Sequence, residues 1–182
     1  MKLKFTKMHG AGNDFVVIDA VNQSIQFTPE QWRFLADRRF GIGADQILVV
    51  ETAPSADVDF RYRIFNADGG EVEQCGNGSR AFVRFVLDKG LTTKHSIRVL
   101  TMSGVIEPSV AEDGRVTVNM GVPSFIPADS HFVTDELQSK VEGSDTLWLL
   151  PLFEDNAWIS CVSMGNPHAV QIVADVIAHP VA

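Results

Sequence analysis

Residues 81–87 read Ala-Phe-Val-Arg-Phe-Val-Leu, and a helix built from them is apolar around most of its circumference. Only Arg80, Arg84 and Asp88, spaced four apart, share a narrow polar stripe. A helix of that kind has to be buried. Strand-like segments lie before and after it, so the arrangement that buries it is a sheet curled around it. Gly90 is the expected stop.

The residues that open this helix are Glu73-Gln74-Cys75-Gly76-Asn77-Gly78-Ser79-Arg80. They put a cysteine at the mouth of a glycine-rich turn. The first N–H groups of a helix lack intrahelical partners and favour nearby negative charge. A thiol there is biased towards the reactive thiolate, and the same N–H groups can hold a substrate carboxylate. One motif thus offers a base and an anion site side by side. The bland alternative for Cys75 is a small buried hydrophobe. The polar run Asn66-Ala67-Asp68-Gly69-Gly70-Glu71 upstream and the glycines downstream argue against it.

Gly76-Asn77-Gly78-Ser79-Arg80-Ala81 also fits a dinucleotide-binding pattern, but a polar loop precedes it instead of a strand. Leu100 and Thr101 stand where an acidic ribose partner is expected. Gly41-Ile42-Gly43-Ala44-Asp45 lacks the Gly-Lys-Ser/Thr ending of a phosphate loop. A formal net charge of -8 argues against nucleic-acid binding. The N-terminal lysines precede no apolar stretch, so no signal peptide is read. The apolar run over residues 147–153 is broken by Pro151 and too short to span a bilayer. The expected setting is a reducing cytoplasm with both cysteines free. No cysteine–histidine cluster suggests a metal. Cys161, inside Trp158-Ile159-Ser160-Cys161-Val162, reads as a core residue.

Strands are expected over residues 3–8 and 15–20, around the turn His9-Gly10-Ala11-Gly12-Asn13-Asp14. Thr28-Pro29-Glu30-Gln31 opens a helix with a capping box. Trp32, Leu35 and Ala36 form its apolar face, and Gly41 suits its stop. Further strands are expected over 46–51, 59–65, 97–102, 105–110 and 116–120, with a hairpin turn at Asp113-Gly114. Residues 121–130, with Pro123 and Pro127, read as a boundary, which gives domains 1–121 and 122–182. Strands 147–152, 158–162 and 169–173 follow. The turn Met164-Gly165-Asn166-Pro167-His168 echoes Met8-His9-Gly10-Ala11-Gly12-Asn13, and each feeds a strand. If the echo marks a duplication, the counterpart of Cys75 falls beyond Ala182.

Asn13, Asn66, Asn77 and Asn166 all lie in turn-like segments. Turn chemistry explains many such residues, but amides that donate and accept also suit a zwitterionic ligand. His168 reads either as an acid/base or orienting group or as a structural turn residue. A cysteine hydrolase would draw on one of His9, His95, His131, His168 or His179, none of them in a recognisable protease context.

Five ordered blocks resemble the diaminopimelate epimerase family. They are Met8-His9-Gly10-Ala11-Gly12-Asn13-Asp14-Phe15, Arg39-Phe40-Gly41-Ile42-Gly43-Ala44-Asp45-Gln46, Phe65-Asn66-Ala67-Asp68-Gly69, Cys75-Gly76-Asn77-Gly78-Ser79-Arg80 and Met164-Gly165-Asn166-Pro167-His168. The resemblance implies an α+β fold of two similar lobes, each a curled, mostly antiparallel sheet around a central helix. It implies a homodimeric, cofactor-independent isomerase that interconverts LL- and meso-2,6-diaminopimelate for lysine and peptidoglycan synthesis, without pyridoxal phosphate. Cys75 matches one of two catalytic cysteines. Asn13, Gln46, Asn66, Gly76, Asn77 and Asn166 match substrate-binding positions, and His168 matches a position important for activity. The family pattern continues to a second Cys-Gly block preceded by a Glu-Arg pair, and Cys161 does not match it. The expectation is therefore a first lobe with part of a second, inactive alone, with activity residing in the complete protein. The other readings kept open are a proline racemase-like isomerase and a non-catalytic amino-acid-binding or dimerisation fragment.

Overall fold

The computed structural model describes residues 2–73, 75–152 and 156–179. Gln74, in the motif that opens the buried helix, and Phe153, at the end of the apolar run, lie outside them. The chain divides into two compact units, Met1–Asn119 and Met120–Ala182.

The first unit begins with β1 (Thr6–Gly10), β2 (Asn13–Asp19) and helix α1 (Pro29–Ala36). β3 (Gln46–Thr52), β4 (Phe60–Asn66) and β5 (Glu71–Val72) lead to helix α2 (Gly76–Asp88). β6 (Val99–Thr101), β7 (Gly104–Ile106), β8 (Ser109–Val110) and β9 (Val116–Thr117) complete it. The main sheet runs β1-β2-β3-β4-β6-β7, with β5 paired to β4, and β8 and β9 form a separate hairpin. β2 is parallel to β3 and β4 to β6; the other pairs in the sheet are antiparallel.

β2 and β3 carry unbroken apolar runs, Phe15-Val16-Val17-Ile18 and Ile47-Leu48-Val49-Val50, because both faces of the sheet are covered. Phe15, Val17, Leu48 and Val50 face α2, where Ala81, Phe82, Val83, Phe85 and Val86 meet them. Val16, Ile18, Ile47 and Val49 turn the other way, towards Trp32 and Ala36 of α1. Burial of each large side chain contributes roughly 1.5–3 kcal/mol. The polar stripe on α2 is as expected: Arg80, Arg84 and Asp88 are exposed, and Arg84 pairs with Asp88 at 3.0 Å. Gly90 terminates α2 with φ +64, and the Gly90 N–H donates to the Leu87 carbonyl at 3.0 Å.

At the start of α1, Thr28 forms both halves of the capping box with Gln31. The stop differs from expectation. α1 ends at Ala36, and Gly41 instead lies so close to the returning chain that a Cβ there would overlap the Phe34 carbonyl oxygen. This glycine answers to backbone crowding, not to helix termination. Two expected strands are also shorter. The 105–110 segment breaks at Glu107-Pro108, where proline offers no N–H to a ladder. The 116–120 segment pairs only at Val116 and Thr117.

The second unit contains a short 3-10 helix, Pro127–Ser130, and four strands: β10 (Ser139–Glu142), β11 (Asp145–Pro151), β12 (Asn156–Ser163) and β13 (Pro167–Val170). They form one antiparallel sheet in chain order. Ala157, Ile159 and Cys161 of β12 form its small core, with Phe132, Trp148 and Leu150 packed against them. β10 is unforeseen because Ser139-Lys140-Val141-Glu142 has one apolar residue and is exposed throughout. No described helix is long and apolar enough to cross a membrane.

Candidate active site

Cys75 is the N-cap of α2, in extended conformation at φ −147 and ψ 108. Its sulfur takes the capping role usually filled by a side-chain oxygen: the Gly78 N–H donates to Sγ at 3.2 Å. The glycine-rich turn expected to open the helix is its first turn, since α2 begins at Gly76. The sulfur is half-buried, and the thiol donates to Asn13 Oδ1 at 3.7 Å.

Asn13 is aimed by its other end. Its Nδ2 donates to Asp45 Oδ2 at 3.0 Å, so the amide oxygen is the atom turned to the sulfur. Asp45 is itself fixed. Its Oδ2 accepts from the Asp14 N–H at 3.0 Å, and its own N–H donates to Asp14 Oδ1 at 2.9 Å. Arg38 bridges both carboxylates, at 2.6 Å to Asp14 and 2.8 Å to Asp45. Lys7 adds a second cation to Asp14 at 2.7 Å and also donates to the Gly43 carbonyl. The Arg38 hydrogen bonds, followed by Lys7, hold the Asp14 carboxyl far below the usual carboxylate range. The Asp14 N–H and then the Asn13 amide lower that of Asp45. Asp14 and Asp45 lie inside two of the family-like sequence blocks, with nothing local to mark them as partners. They meet because the register sets Phe15 beside Gln46, which brings Asp14, near the start of β2, against Asp45, just before β3.

Gln46 and Asn66 face one another across β3 and β4, and Gln46 Nε2 donates to Asn66 Oδ1 at 2.8 Å. Gln46 Oε1 is buried with no hydrogen-bond partner. Asn13, Gln46 and Asn66 thus gather at one end of three adjacent strands, the end at which Cys75 meets Asn13. Asn66 also anchors a tight turn: its N–H donates to the Gly70 carbonyl at 2.8 Å, and its carbonyl accepts from Gly69 at 2.9 Å. Gly76 and Asn77 supply the first residues of α2. Asn77 Oδ1 accepts from Arg80, and its carbonyl approaches Gly10 at the end of β1.

Asn166 and His168 belong to the second unit. The echo with the N-terminal turn has a structural counterpart: β1–β2 and β12–β13 are both antiparallel hairpins, and each turn has an asparagine directly after a glycine of positive φ. His168 Nδ1 lies 3.0 Å from the Asn166 carbonyl. A carbonyl only accepts, so Nδ1 carries a proton, which in the neutral tautomer leaves Nε2 as the acceptor. Cys161 is buried in β12, and burial, then the charge of Asp145, raises its thiol pKa above the ordinary range. Among the described residues no group of three His, Cys, Asp or Glu is placed to hold a metal ion.

The family model for diaminopimelate epimerase matches residues 5–126, which include the Asn13, Gln46, Asn66 and Cys75 positions. The chain belongs to the diaminopimelate epimerase family. Among its relatives, the diaminopimelate epimerase of Herminiimonas arsenicoxydans is 67% identical over 181 residues, and that of Ralstonia nicotianae is 61% identical. Both alignments cover 100% of this chain, but only 64% and 62% of those proteins. Among solved structures, a probable proline racemase from Agrobacterium radiobacter superposes with a TM-score of 0.65 at 17% identity, over 93% of this chain and 52% of that one. A hydroxyproline epimerase from Agrobacterium vitis gives 0.61 at 16%, over 93% and 51%. At such identities these likenesses concern the fold, and they agree with the expected α+β class.

Proposed function

We propose that this chain carries the Cys75 half-site of a cofactor-independent epimerase that inverts one Cα centre of 2,6-diaminopimelate. The observation that carries the reading is the Cys75 sulfur at the start of α2, facing an amide oxygen and beside a row of amides at the sheet's end. Family membership and the names of the relatives support diaminopimelate as substrate.

The chemistry requires little more than these groups. A Cα–H is a very weak acid, and inversion needs a base on one face and an acid on the other. A single group tends to return the proton to the face it came from. Cys75 as thiolate takes the proton from one face; as thiol it delivers it in the reverse direction. General acid–base help contributes roughly 10²–10⁴-fold. The Gly76 and Asn77 N–H groups suit the carboxylate beside the reacting carbon, where negative charge develops. Asn13, Gln46 and Asn66 suit the substrate's ammonium and carboxylate groups. Asn166 is a further binding group, and His168, through Nε2, a proton-handling or orienting one. Cys161 is not the second acid–base group, because it serves the core of its own sheet. The whole protein acts as a cytoplasmic homodimer in lysine and peptidoglycan synthesis, with no organic cofactor.

Cα deuterium uptake from D₂O into LL- and meso-diaminopimelate tests this, with proline as comparison substrate. Uptake specific to diaminopimelate is expected, and it disappears in Cys75→Ala. Uptake that persists in Cys75→Ala removes Cys75 from the reaction, and preference for proline moves the substrate to the related isomerases.

A further inference from the structure

Tyr62 is 1% exposed, and its hydroxyl has no hydrogen-bond partner. It lies on β4 beside Phe60 and Ile64, which share the core with α2. Its ring packs 5.0 Å from that of Phe82. The hydroxyl is aimed at the first turn of α2. A Cβ built at Gly78 would overlap the Tyr62 oxygen and would sit 3.3 Å from Cys75 Cβ. The phenol oxygen, the Gly78 backbone and the Cys75 side chain therefore converge at one point. Burial first, and then the charge Cys75 can carry, raise the phenol pKa well above the ordinary tyrosine range, so it keeps its proton.

A buried hydroxyl without a partner destabilises a fold, and phenylalanine would fill the same space without that cost. Packing accordingly explains the ring and not the oxygen. The Cys75 side chain, which meets the same point of the Gly78 turn, gives the oxygen a use. A thiol is a weak hydrogen-bond group, whereas an ionised acceptor roughly doubles the strength of a bond to it.

We infer that Tyr62 is a positioning residue for Cys75, its O–H held beneath the Gly78 turn to donate to the Cys75 sulfur when that sulfur is ionised. Tyr62 is too deeply buried to touch substrate, and it acts through the thiol. Gly78 keeps the path between the two side chains open. The inference rests on reading Cys75 as the acid–base group, but its test requires no substrate. Substitution of Tyr62 leaves the titratable groups on the surrounding elements in place: Lys7 and His9 of β1, Asp14 and Asp19 of β2, Glu51 of β3, Arg61 and Arg63 of β4, and Arg80, Arg84 and Asp88 of α2.

The experiment compares the 182-residue chain with its Tyr62→Phe variant. Iodoacetamide alkylation of Cys75 is followed across pH by peptide mass spectrometry, and thermal melting is recorded on the same samples. Alkylation at pH 7 is expected to fall roughly tenfold in the variant, its profile displaced towards higher pH. The melting temperature stays the same or rises, because an unpartnered hydroxyl has been removed. A loosened core would do the opposite, exposing the sulfur and speeding alkylation. An unmoved profile in a folded variant overturns the inference. So does a variant that fails to fold, since the hydroxyl would then be bonded within the fold. Neither result touches the role of Cys75 itself, which the loss of Cα exchange in Cys75→Ala tests separately.

Discussion

Asn13 Oδ1 lies 3.7 Å from Cys75 Sγ although 62 residues separate the two in the chain. The amide cannot turn over freely, because Asp45 holds its nitrogen at 3.0 Å. The amide oxygen that faces the Cys75 sulfur is thus oriented by a carboxylate on its far side.

Asp45→Ala releases that clamp. The variant is expected to lose about 1–2 kcal/mol of stability, the amount typical of a hydrogen-bonded group removed from charged partners. On the proposed function, diaminopimelate Cα exchange falls at least tenfold, mostly in kcat. Urea unfolding and deuterium uptake measured on one preparation check both numbers. Exchange at the wild-type rate would show that Asn13 keeps its orientation without Asp45.

The pH dependence has a definite sign. Asp14 and Asp45 have folded pKa values below their unfolded ones. Their contribution is therefore complete above the unfolded carboxylate range, near pH 4, and is lost as pH falls through the folded values. The melting temperature should fall as the protein is acidified below about pH 4. Arg38→Ala removes the largest cause of the Asp14 depression, so its melting curve should show a smaller drop over the same range.

Gly78→Ala sets two effects against each other. Alanine is favoured in a helix by about 1 kcal/mol, but its methyl would overlap the Tyr62 oxygen. The expected outcome is a net loss of about 1–3 kcal/mol. Much of it should be recovered in the double variant with Tyr62→Phe, and a double-mutant cycle by chemical denaturation measures the coupling.

Gly69→Ala meets backbone instead of a side chain. Gly69 has φ +85, and a Cβ there would overlap the Pro29 carbonyl oxygen at the start of α1. A loss of at least about 2 kcal/mol is expected, because neither the strained dihedral nor the carbonyl can relax cheaply. A drop of several degrees in melting temperature is the check.

The two thiols should separate cleanly. Iodoacetamide is expected to label Cys75 in the native protein and to spare Cys161, whose sulfur is buried in β12. Peptide mapping before and after unfolding reads this directly. Native labelling of Cys161 would mean that the sheet of the second unit opens on the labelling timescale.

What the sequence disclosed followed from local rules. The apolar girth of α2, the Thr28–Gln31 capping box and the Gly90 stop each depend on a few neighbouring residues. Gly41 misled because a glycine after a helix usually marks its end, whereas here it marks two backbones in close approach. β10 escaped notice because an exposed edge strand needs no apolar alternation. The cluster around Asp14 and Asp45 was hidden for another reason. Its members lie 31 residues apart, and only the parallel register of β2 and β3 brings them together. Tyr62 falls inside the expected 59–65 strand with no local mark of its own, and only the missing partner of its oxygen distinguishes it.

The parallel pairing of β2 with β3 also has a bearing on how the molecule matures. A parallel neighbour cannot be reached by a tight hairpin, so the chain has to travel out through α1 and back before Asp45 can meet Asn13. Such non-local pairings close slowly compared with a hairpin or a helix turn. Cys75 can thus be capped early by its own helix, through Gly78, while the amide that faces it is locked only once the sheet has zipped. In a refolding experiment, the order in which those two constraints act on the sulfur would be written in the time course of its accessibility.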